Sequence, residues 1–252
     1  MRLARARFLS RIIGFAVLNL GFKIKTGIVC PVLYCYSCPL SAFACPIGTL
    51  QRFIITSTVP FYSLGQLSLY SLGFGRAYCG WVCPFGTFQD IVSRIGSRFN
   101  KKVRNVPPLK FGALALIMIS AYLFADTYFC RLCPSASLFA SLPFSWLNPQ
   151  IQLGFFFAVH LLTLFVIVVG AVFVKRFWCR YLCPVGALTG AFNRLSAIGV
   201  DAKDARCENC RLCLKKCPMG IDKISDIGSS TDCIRCGICI EACPNKIIRF
   251  HL

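Results

Sequence analysis

Acidic residues and histidines are scarce in this sequence. Its 252 residues include 9 aspartates and glutamates, against 28 lysines and arginines, and 2 histidines. No paired carboxylates, Ser/His/Asp set or Gly-rich phosphate loop is spaced for catalysis, and the GFGR run at Gly73 is too short for a dinucleotide fingerprint. These absences exclude hydrolytic chemistry and leave no nicotinamide or flavin motif. Transmembrane haem b usually needs paired histidine ligands, so haem is excluded as well.

The formal charge of +19 raises the question of nucleic-acid binding. The basic residues are concentrated in 2–11, in 94–110 and from Lys175 onward, always beside hydrophobic segments. No basic face interleaved with aromatic residues and no nucleic-acid fold motif accompanies them. Their distribution is that of the positive-inside bias of membrane proteins, so we predict no nucleic-acid partner.

Hydrophobic residues make up 56% of the chain, which is too apolar for a soluble domain of this length. The N-terminus has the basic start and apolar run of a signal peptide. It lacks an A-x-A-like cleavage site, and Lys23 and Lys25 follow directly, so we predict an uncleaved anchor. The 18 cysteines do not indicate a disulfide scaffold, because the chain is neither short nor secreted in character.

The hydrophobic segments predict a membrane all-α fold with a four-helix transmembrane bundle. Three segments are long enough to cross a hydrocarbon core of about 30 Å: 53–75, 111–129 and 151–174. The run 12–22 is shorter and spans only if its helix continues to about Ile28 and the following lysines extend to the interface. The apolar stretches 29–50 and 132–147 are rich in Pro, Cys and Ser and predict re-entrant segments covered by protein.

An internal repeat relates two halves, at about 12–90 and 111–190. The order in both is helix, CxxCP, helix, CxxxCPxG: CYSCPLSAFA resembles CRLCPSASLFA, and CGWVCPFGTF resembles CRYLCPVGAL. Such a repeat predicts two helix pairs related by a pseudo-symmetry axis.

Charge predicts the orientation in the cell's inner membrane. The N-terminus, the loop 94–110 and residues 175–180 are basic and are expected on the cytoplasmic side. Four crossings then place both CxxxCPxG motifs at the inner face and both CxxCP motifs at the outer face. The apolar character ends after Ser196, so we predict a transmembrane domain over 1–196 and a small α+β domain over 197–252, with both termini cytoplasmic.

The C-terminal part contains two C-x2-C-x2-C-x3-C-P runs, CENCRLCLKKCP and CIRCGICIEACP. This is the bacterial ferredoxin spacing, in which the fourth cysteine binds the other cluster. The predicted ligands of the first [4Fe–4S] cluster are Cys207, Cys210, Cys213 and Cys243. Those of the second are Cys217, Cys233, Cys236 and Cys239. Zinc sites usually pair two CxxC knuckles rather than place three cysteines within seven residues, so the spacing favours iron–sulfur.

A further cluster is predicted at the inner membrane face. In a helix, CxxxC places both sulfurs on one face, one turn apart. Two such pairs supply a four-thiolate site, with the ligands Cys79, Cys83, Cys179 and Cys183. The proline after each second cysteine ends or bends the local structure, and the glycine two further on lets backbone N–H groups approach the sulfurs. CPxG also occurs at Cys45 and Cys217.

More cysteines than one cluster needs are available at the outer face. The repeat favours the ligand set Cys35, Cys38, Cys130 and Cys133. Cys45 is the alternative ligand, and Cys30 is also available. The structural alternative is that these are small buried apolar residues or form an outer-face disulfide.

The four membrane segments, the CGWVCPFG and CRYLCPVG motifs and the double ferredoxin run resemble the NapH-like membrane polyferredoxins, which are related to the membrane parts of NosR-type and CcoG-type proteins. The resemblance extends over most of the chain from about Ile12. It implies electron transfer between the quinone pool and a redox partner, with two cytoplasmic [4Fe–4S] clusters. The sequence departs from that pattern through CYSCPLSAFACPIG and CRLCP, whose extra cysteines indicate additional cofactors.

Four other residues are candidates for supporting roles. His160, in the middle of the last membrane segment, is a candidate quinone contact, and the alternative is a packed neutral histidine bonded to a neighbouring helix. Asp126 is a candidate for pairing with Arg131 or relaying protons, and the alternative, which we favour, is an ordinary interfacial charge. Arg76 and Arg180, beside the inner cysteines, either stabilise a negatively charged cluster or are ordinary positive-inside residues.

These features predict a membrane electron-transfer subunit of an oxidoreductase complex, without catalytic residues of its own. Single electrons pass through two to four [4Fe–4S] clusters, between a cytoplasmic carrier and an acceptor in or across the membrane. The basic surface favours an acidic redox partner: a ferredoxin, a flavodoxin or an oxidoreductase subunit. The alternatives are a quinol dehydrogenase subunit with only the two ferredoxin-domain clusters, and thiol-based copper handling or reduction. The outer cysteines discriminate, because only the conduit needs a cluster there.

Overall fold

The computed structural model describes residues 2–22, 25–101, 103, 105–148, 154–202 and 207–251. Lys23 and the first three residues of the predicted segment 151–174 lie outside the described residues. The larger helices are α1 (Arg2–Leu18), α2 (Pro46–Ile55), α3 (Phe61–Phe74), α5 (Pro84–Ile95), α6 (Pro107–Phe124), α10 (Phe155–Phe173) and α12 (Pro184–Ala191). The shorter ones are α4 (Tyr78–Trp81), α7 (Tyr128–Leu132), α8 (Pro134–Ala136), α9 (Leu142–Leu147), α11 (Phe177–Tyr181), α13 (Leu212–Lys215) and α14 (Ile238–Ala242).

Short irregular helices and one small sheet complete the described part of the chain. A π-helical turn spans Ser137–Ser141, and 3-10 turns span Leu20–Phe22, Phe192–Arg194 and Ile224–Asp226. The strands β1 (Gly199–Asp201) and β2 (Arg249–His251) pair antiparallel, with Val200 opposite Phe250. The strands therefore join the two ends of the C-terminal part, which contains both helical and strand elements as predicted.

Four helices begin at a proline that directly follows a cysteine. These cysteines are the N-cap residues of α2, α5, α8 and α12: Cys45, Cys83, Cys133 and Cys183. Proline is well suited to the first helical position, where the backbone N–H that it lacks would have no intrahelical partner. The Cys-Pro step therefore determines where each helix starts.

The CxxxC motifs do not lie within single helices, contrary to the prediction. Helix α4 ends at Trp81, and Cys83 has an extended conformation with φ −62° and ψ 116°. Cys183 is extended in the same way, at φ −68° and ψ 111°. The physical reason is the following proline, which disfavours the helical conformation at the residue before it. Each motif thus supplies one cysteine from a short helix and one from the start of the next.

The predicted segments 12–22 and 53–75 do not form continuous membrane-length helices. Helix α1 ends at Leu18 instead of continuing to Ile28, and 53–75 is interrupted between α2 and α3. At that interruption, Ser57 has a positive φ of 51° and Pro60 precedes α3. Helices of 10 and 14 residues are each too short to cross about 30 Å at 1.5 Å per residue.

Two helices, α6 and α10, are long and apolar enough to cross a membrane, among the residues that the structure describes. Only 11% of each apolar window is buried. Large apolar side chains therefore remain exposed on both, such as Leu116 on α6 and Phe165 on α10. Soluble monomers rarely expose contiguous apolar surface of this kind, so both helices fit a lipid environment.

The core lies between the cysteine-bearing segments of the two halves. Helix α5 of the first half packs against α10 of the second, and α2 of the first half packs against α6 of the second. The predicted re-entrant stretches also meet, because the Ser135 hydroxyl donates to the Leu33 carbonyl at 2.9 Å. Phe85 and Phe129 fill the centre on either side of Trp178. The fold thereby positions the cysteines of both repeats around one shared interior.

Candidate cluster sites

The structure brings together the four cysteines that were predicted at the inner face. Cys79, Cys83, Cys179 and Cys183 are all buried, at 4–6% exposure. Burial raises the pKa of Cys83 to about 12, and the neighbouring thiols of Cys79 and Cys179 contribute to the rise. Thiols in such a pocket stay protonated unless a bound cation offsets their charge. The set therefore fits a cationic iron–sulfur core.

Backbone N–H groups at the helix starts point towards the capping sulfurs. The Gly186 N–H donates to Cys183 Sγ at 3.4 Å. The Gly86 N–H at the equivalent position of the first half partly offsets the rise in the pKa of Cys83, although no cap hydrogen bond forms there. Hydrogen bonds to thiolate sulfurs stabilise the anionic ligands and tune a cluster's potential. At Cys183 the structure therefore shows the approach of a backbone N–H that the CPxG glycine was predicted to allow.

Two buried arginines cross between the halves. Arg76 Nη2 donates to the Cys179 carbonyl at 2.5 Å, and Arg176 Nη1 donates to the Cys79 carbonyl at 2.9 Å. Both arginines are at most 1% exposed. Each arginine stands three positions before the first inner cysteine of its own half. Equivalent positions of the repeat therefore make reciprocal contacts. Sequence reasoning named Arg76 but missed Arg176, which the repeat itself could have identified.

Asp90 neutralises Arg176 in a two-pronged ion pair. The Nε–Oδ1 and Nη2–Oδ2 distances are 2.6 and 2.7 Å. Arg11 from α1 contacts the same carboxylate at 2.8 Å. Burial raises the pKa of Asp90, but the two guanidinium groups outweigh that effect and hold the pKa below its ordinary value. This triad ties α1 and the second repeat to α5.

A matching triad forms at the other arginine, with a carboxylate from the C-terminal part. Asp232 Oδ1 lies 3.2 Å from Arg76 Nη1 and 2.5 Å from Lys110 Nζ, and all three side chains are 0% exposed. Gly190 holds the repeat position equivalent to Asp90, and a Cβ there would overlap the Thr231 carbonyl. The C-terminal part therefore supplies the carboxylate that the second repeat lacks.

Among the cysteines predicted at the outer face, the structure places Cys45, rather than Cys38, beside the second CxxCP pair. The Sγ of Cys130 lies 3.7 Å from the position of a Cβ on Gly48, in the first turn after Cys45. Burial is the main cause of the raised pKa of Cys133, and among the neighbouring side chains Cys45 contributes most to that rise. Cys38 Sγ lies 3.8 Å from the Tyr34 hydroxyl instead. The grouped cysteines are Cys35, Cys45, Cys130 and Cys133.

The C-terminal cysteines line two small cavities, in the crossed arrangement that the ferredoxin spacing predicts. The cysteines around the first are Cys207, Cys210, Cys213 and Cys243. Those around the second include Cys217, Cys233, Cys236 and Cys239. Each run thus contributes its last cysteine to the cavity of the other run.

The second of these cavities packs directly against the inner cysteines. Cys79 and Cys179 form one buried cluster with Met219 and Ile234, on which Cys217 and Cys236 also pack. A Cβ on Gly80 would lie 2.6 Å from the Ile234 carbonyl and 3.4 Å from the Cα of Cys236. The absence of a side chain at Gly80 therefore permits the close approach of the two sites.

Unpaired buried donors also fit iron–sulfur clusters. Five buried side-chain N–H groups have no hydrogen-bond partner among the described residues: Gln51 Nε2, Arg76 Nε, Trp178 Nε1, Arg180 Nε and Arg235 Nε. Two of them belong to side chains beside candidate ligands: Arg76 neighbours Cys79 and Cys183, and Arg235 neighbours Cys233. Cluster sulfurs accept hydrogen bonds, so a bound cluster would offer partners to these donors.

Single metal ions fit less well. Within the described ranges, no three His, Cys, Asp or Glu side chains are close enough to hold one ion. A cubane fills the space between its four thiolates, which therefore stand further apart than the ligands of zinc or copper.

Both ring nitrogens of His160 are engaged within the protein. Nδ1 lies 2.7 Å from the Ser141 hydroxyl, and Nε2 lies 3.2 Å from the Cys130 carbonyl. This arrangement leaves neither nitrogen available for a quinone carbonyl, and it favours the packed histidine that was the alternative interpretation. Asp126 pairs with Arg131 at 2.7 Å, which is one of the roles considered for it.

Known protein families match the parts of the chain that carry these sites. A family of 4Fe-4S binding domains matches residues 61–103 and 156–200, which contain the two inner cysteine pairs. A second family of 4Fe-4S binding domains matches 229–249. The repeat is therefore visible as two matches to one family. No solved structure matches the chain.

Several curated proteins are similar to this chain. The ferredoxin-type protein NapH of Haemophilus influenzae is 29% identical over 200 residues, 72% of this chain and 64% of NapH. The methylamine utilization ferredoxin-type protein MauN of Paracoccus denitrificans is 30% identical, over 59% of this chain and 50% of MauN. Protein NirI of the same organism is 28% identical, over 73% of this chain and 27% of NirI. These similarities confirm the resemblance to the NapH-like polyferredoxins and identify [4Fe–4S] clusters as the cofactors.

Proposed function

We propose that this chain is a membrane electron-transfer protein whose cysteines hold four [4Fe–4S] clusters in series. The observation that carries the proposal is the packing of Cys79 and Cys179 with Cys217 and Cys236 in one buried cluster. Ligands of two sites in direct contact provide a short path for an electron. Such clusters exchange single electrons, and the protein's part is to fix their spacing and tune their potentials.

Two stacked aromatic rings connect the inner site to the outer one. Phe129 and Trp178 lie with ring centroids 6.3 Å apart and planes inclined by 22°. Phe129 directly precedes Cys130, and Trp178 directly precedes Cys179. The pair is buried in the core, so the path between the two sites passes through tightly packed protein.

For the ligands, we propose the two crossed ferredoxin sets and the inner set as the sequence predicts them. For the outer site we propose the set Cys35, Cys45, Cys130 and Cys133. Cys45 replaces Cys38 here because Cys45 caps α2 in the same way that Cys133 caps α8. Each half then contributes one Cys-Pro helix start to the outer site, as each does to the inner one.

The proposed location is the cell's inner membrane, with four crossings and both termini in the cytoplasm. Beyond α6 and α10, exposed apolar side chains on α1 and α3 support this arrangement, among them Ile13 and Leu69. We propose domains over 1–196 and 197–252, with the second on the cytoplasmic side.

A second candidate function is that of a quinol dehydrogenase subunit. The observation in its favour is an apolar cavity of about 400 Å³ beside the inner site. Its lining includes Phe74, Tyr78, Trp81, Val82 and Phe250. Flat aromatic walls suit a quinone ring, and Tyr78 neighbours Cys79. His160 has no part in this candidate.

Iron and acid-labile sulfide analysis of anaerobically purified protein tests the proposal, together with EPR during reductive titration. Four clusters require about sixteen irons per chain. About eight irons would confine the clusters to the C-terminal part, overturn the conduit and favour the quinol dehydrogenase subunit.

A further inference from the structure

A basic cleft of about 790 Å³ lies between the C-terminal part and the segments that follow α5 and α10. Among the described residues, five cationic ones line it: Lys101, Lys175, Arg180, Arg211 and Lys215. Asp222 is the single acidic residue in the described part of its lining. Cations from distant parts of the sequence thus converge on one concave surface, which predicts a strongly positive local potential.

One of these cations is built into the wall of the cleft rather than exposed at its rim. Arg180 is 3% exposed, and its Nη2 donates to the Val103 carbonyl at 2.7 Å. Its Nε has no partner among the described residues. Gly220 lacks a side chain where a Cβ would overlap this guanidinium. A buried cation with an unused donor indicates a site made for an anionic group, since leaving a buried donor unpaired costs free energy.

The same wall gives access to the second ferredoxin site. Cys217, one of its proposed ligands, lines the cleft together with the neighbouring Pro218. Lys215 and Arg211 lie on the C-terminal part and are exposed, as are Lys101 and Lys175 on the opposite side. A molecule bound here would touch cations on both sides and lie against a cluster ligand.

We propose that this cleft docks an acidic one-electron carrier protein, which exchanges its electron with the cluster held by Cys217. The inference rests on the proposed function and adds the partner's docking site. Charge complementarity steers such carriers to their partners. With a reduced flavodoxin, the anionic flavin hydroquinone loses one electron and becomes the neutral semiquinone. The cluster gains that electron, from [4Fe–4S]2+ to [4Fe–4S]+, and no proton moves or bond changes.

Anionic lipid headgroups carry negative charge, as an acidic carrier protein does, so they could also bind a basic cleft. Headgroups would engage the cations beside the membrane segments, Lys101 and Lys175. They would not account for Lys215 and Arg211, which flank the cluster ligands of the C-terminal part. We therefore favour a protein carrier, and the lipid is an outcome of the test.

The test compares Lys215→Glu with Lys216→Glu in the full chain. The two lysines are adjacent and both are exposed, but Lys216 does not line the cleft. Photoreduced acidic flavodoxin is mixed with each protein in nanodiscs of neutral phosphatidylcholine, and cluster reduction is followed by stopped-flow absorbance. Reduction by dithionite, which is too small to need docking at a surface, is measured in parallel.

We expect Lys215→Glu to lower the second-order rate constant with flavodoxin about tenfold at low salt and to weaken its salt dependence. Lys216→Glu is expected to change it less than twofold, and dithionite reduction stays the same in all three proteins. Equal effects of the two variants would overturn the docking site and leave the proposed function intact. Absence of dithionite-reducible clusters would instead defeat the proposed function. If Lys215→Glu changed the rate constant of cluster reduction only in discs containing phosphatidylglycerol, the cleft would be a lipid site, and the proposal would fail.

Discussion

Arg76 donates a hydrogen bond to the backbone carbonyl of Cys179, across the boundary between the two repeats, at 2.5 Å. Arg176 donates the equivalent hydrogen bond to the carbonyl of Cys79, at 2.9 Å. Each half therefore secures a candidate ligand of the other half. Neither half holds the inner site alone, because both its thiols and its supporting cations are divided between the repeats.

The first prediction concerns the charge of Arg76. A cation beside a cluster stabilises the reduced, more negative state, so Arg76→Gln should lower the reduction potential of the inner cluster. We expect a shift on the order of 60 mV, which equals a tenfold change in a one-electron equilibrium. EPR-monitored redox titration measures it. Arg131→Gln removes a cation from an exposed pair at the other end of the fold and serves as the control. An unshifted inner potential in Arg76→Gln would contradict this role.

The second prediction concerns Asp232, which ties the C-terminal part to Arg76 and Lys110 of the preceding part of the chain. Asp232→Asn leaves Arg76 and Lys110 buried without their carboxylate, which should cost about 3 kcal/mol of stability. The expected result is a clear fall in Tm and faster proteolytic release of the C-terminal part. Adding Lys110→Met removes one of the two stranded charges and should restore part of the loss. A double variant no more stable than Asp232→Asn would show that charge burial is not the cause.

The third prediction concerns the approach of two sites at Gly80. An alanine there places a Cβ 2.6 Å from the Ile234 carbonyl, so the C-terminal part must move away. Gly80→Ala should weaken the magnetic interaction between the inner and second ferredoxin clusters, which is seen as narrower EPR lines in the fully reduced protein. Gly65→Ala is the matched control, because a Cβ at Gly65 meets no atom within 4 Å. Unchanged EPR lines in Gly80→Ala would exclude a close contact at this position.

The fourth prediction concerns acid stability and Asp90. Arg176 and Arg11 hold its pKa below the ordinary value, despite burial, so its stabilisation is full above the unfolded pKa of about 4 and is lost as pH falls through the folded pKa. Asp90→Asn should therefore be less stable than the original protein at pH 7, with a difference in Tm that shrinks as pH falls below about 4. Thermal scans from pH 7 to pH 3 measure that difference. A constant difference over this range would show that Asp90 does not act through its charge.

The grouping of the C-terminal cysteines agrees with the ferredoxin spacing, and the grouping of the inner cysteines agrees with the repeat of the CxxxCPxG motif, so sequence motifs predicted both groupings. The interruption of 53–75 was missed because the length and overall apolar character of the segment were weighed above the local signals of Ser57 and Pro60, although a proline commonly ends a helix. The Asp232–Lys110 pair joins residues 122 positions apart. No local pattern encodes such a contact, whereas Arg176 could have been found by counting three positions back from Cys179.

Cys45 shows why the outer site was harder to predict. The CxxCP likeness of Cys35–Cys38 to Cys130–Cys133 favoured Cys38, yet the structural equivalent of Cys133 is the cysteine that caps a helix. Both Cys38 and Cys45 precede a proline, but only the second proline starts a helix in the described structure. Helix starts, more than cysteine spacing, thus relate the two halves at this face.

The last prediction follows from that equivalence. If Cys45 is a ligand and Cys38 is not, Cys45→Ser should remove about four irons per chain and Cys38→Ser should remove none. The two variants make the same chemical change, and both cysteines belong to the first half. Iron and sulfide analysis with EPR distinguishes them, because the inner and ferredoxin signals should persist in both. Loss of iron in Cys38→Ser alone would restore the ligand set that the CxxCP repeat favours. Loss in neither would mean that the outer cysteines hold no cluster, and the conduit would end at the inner site.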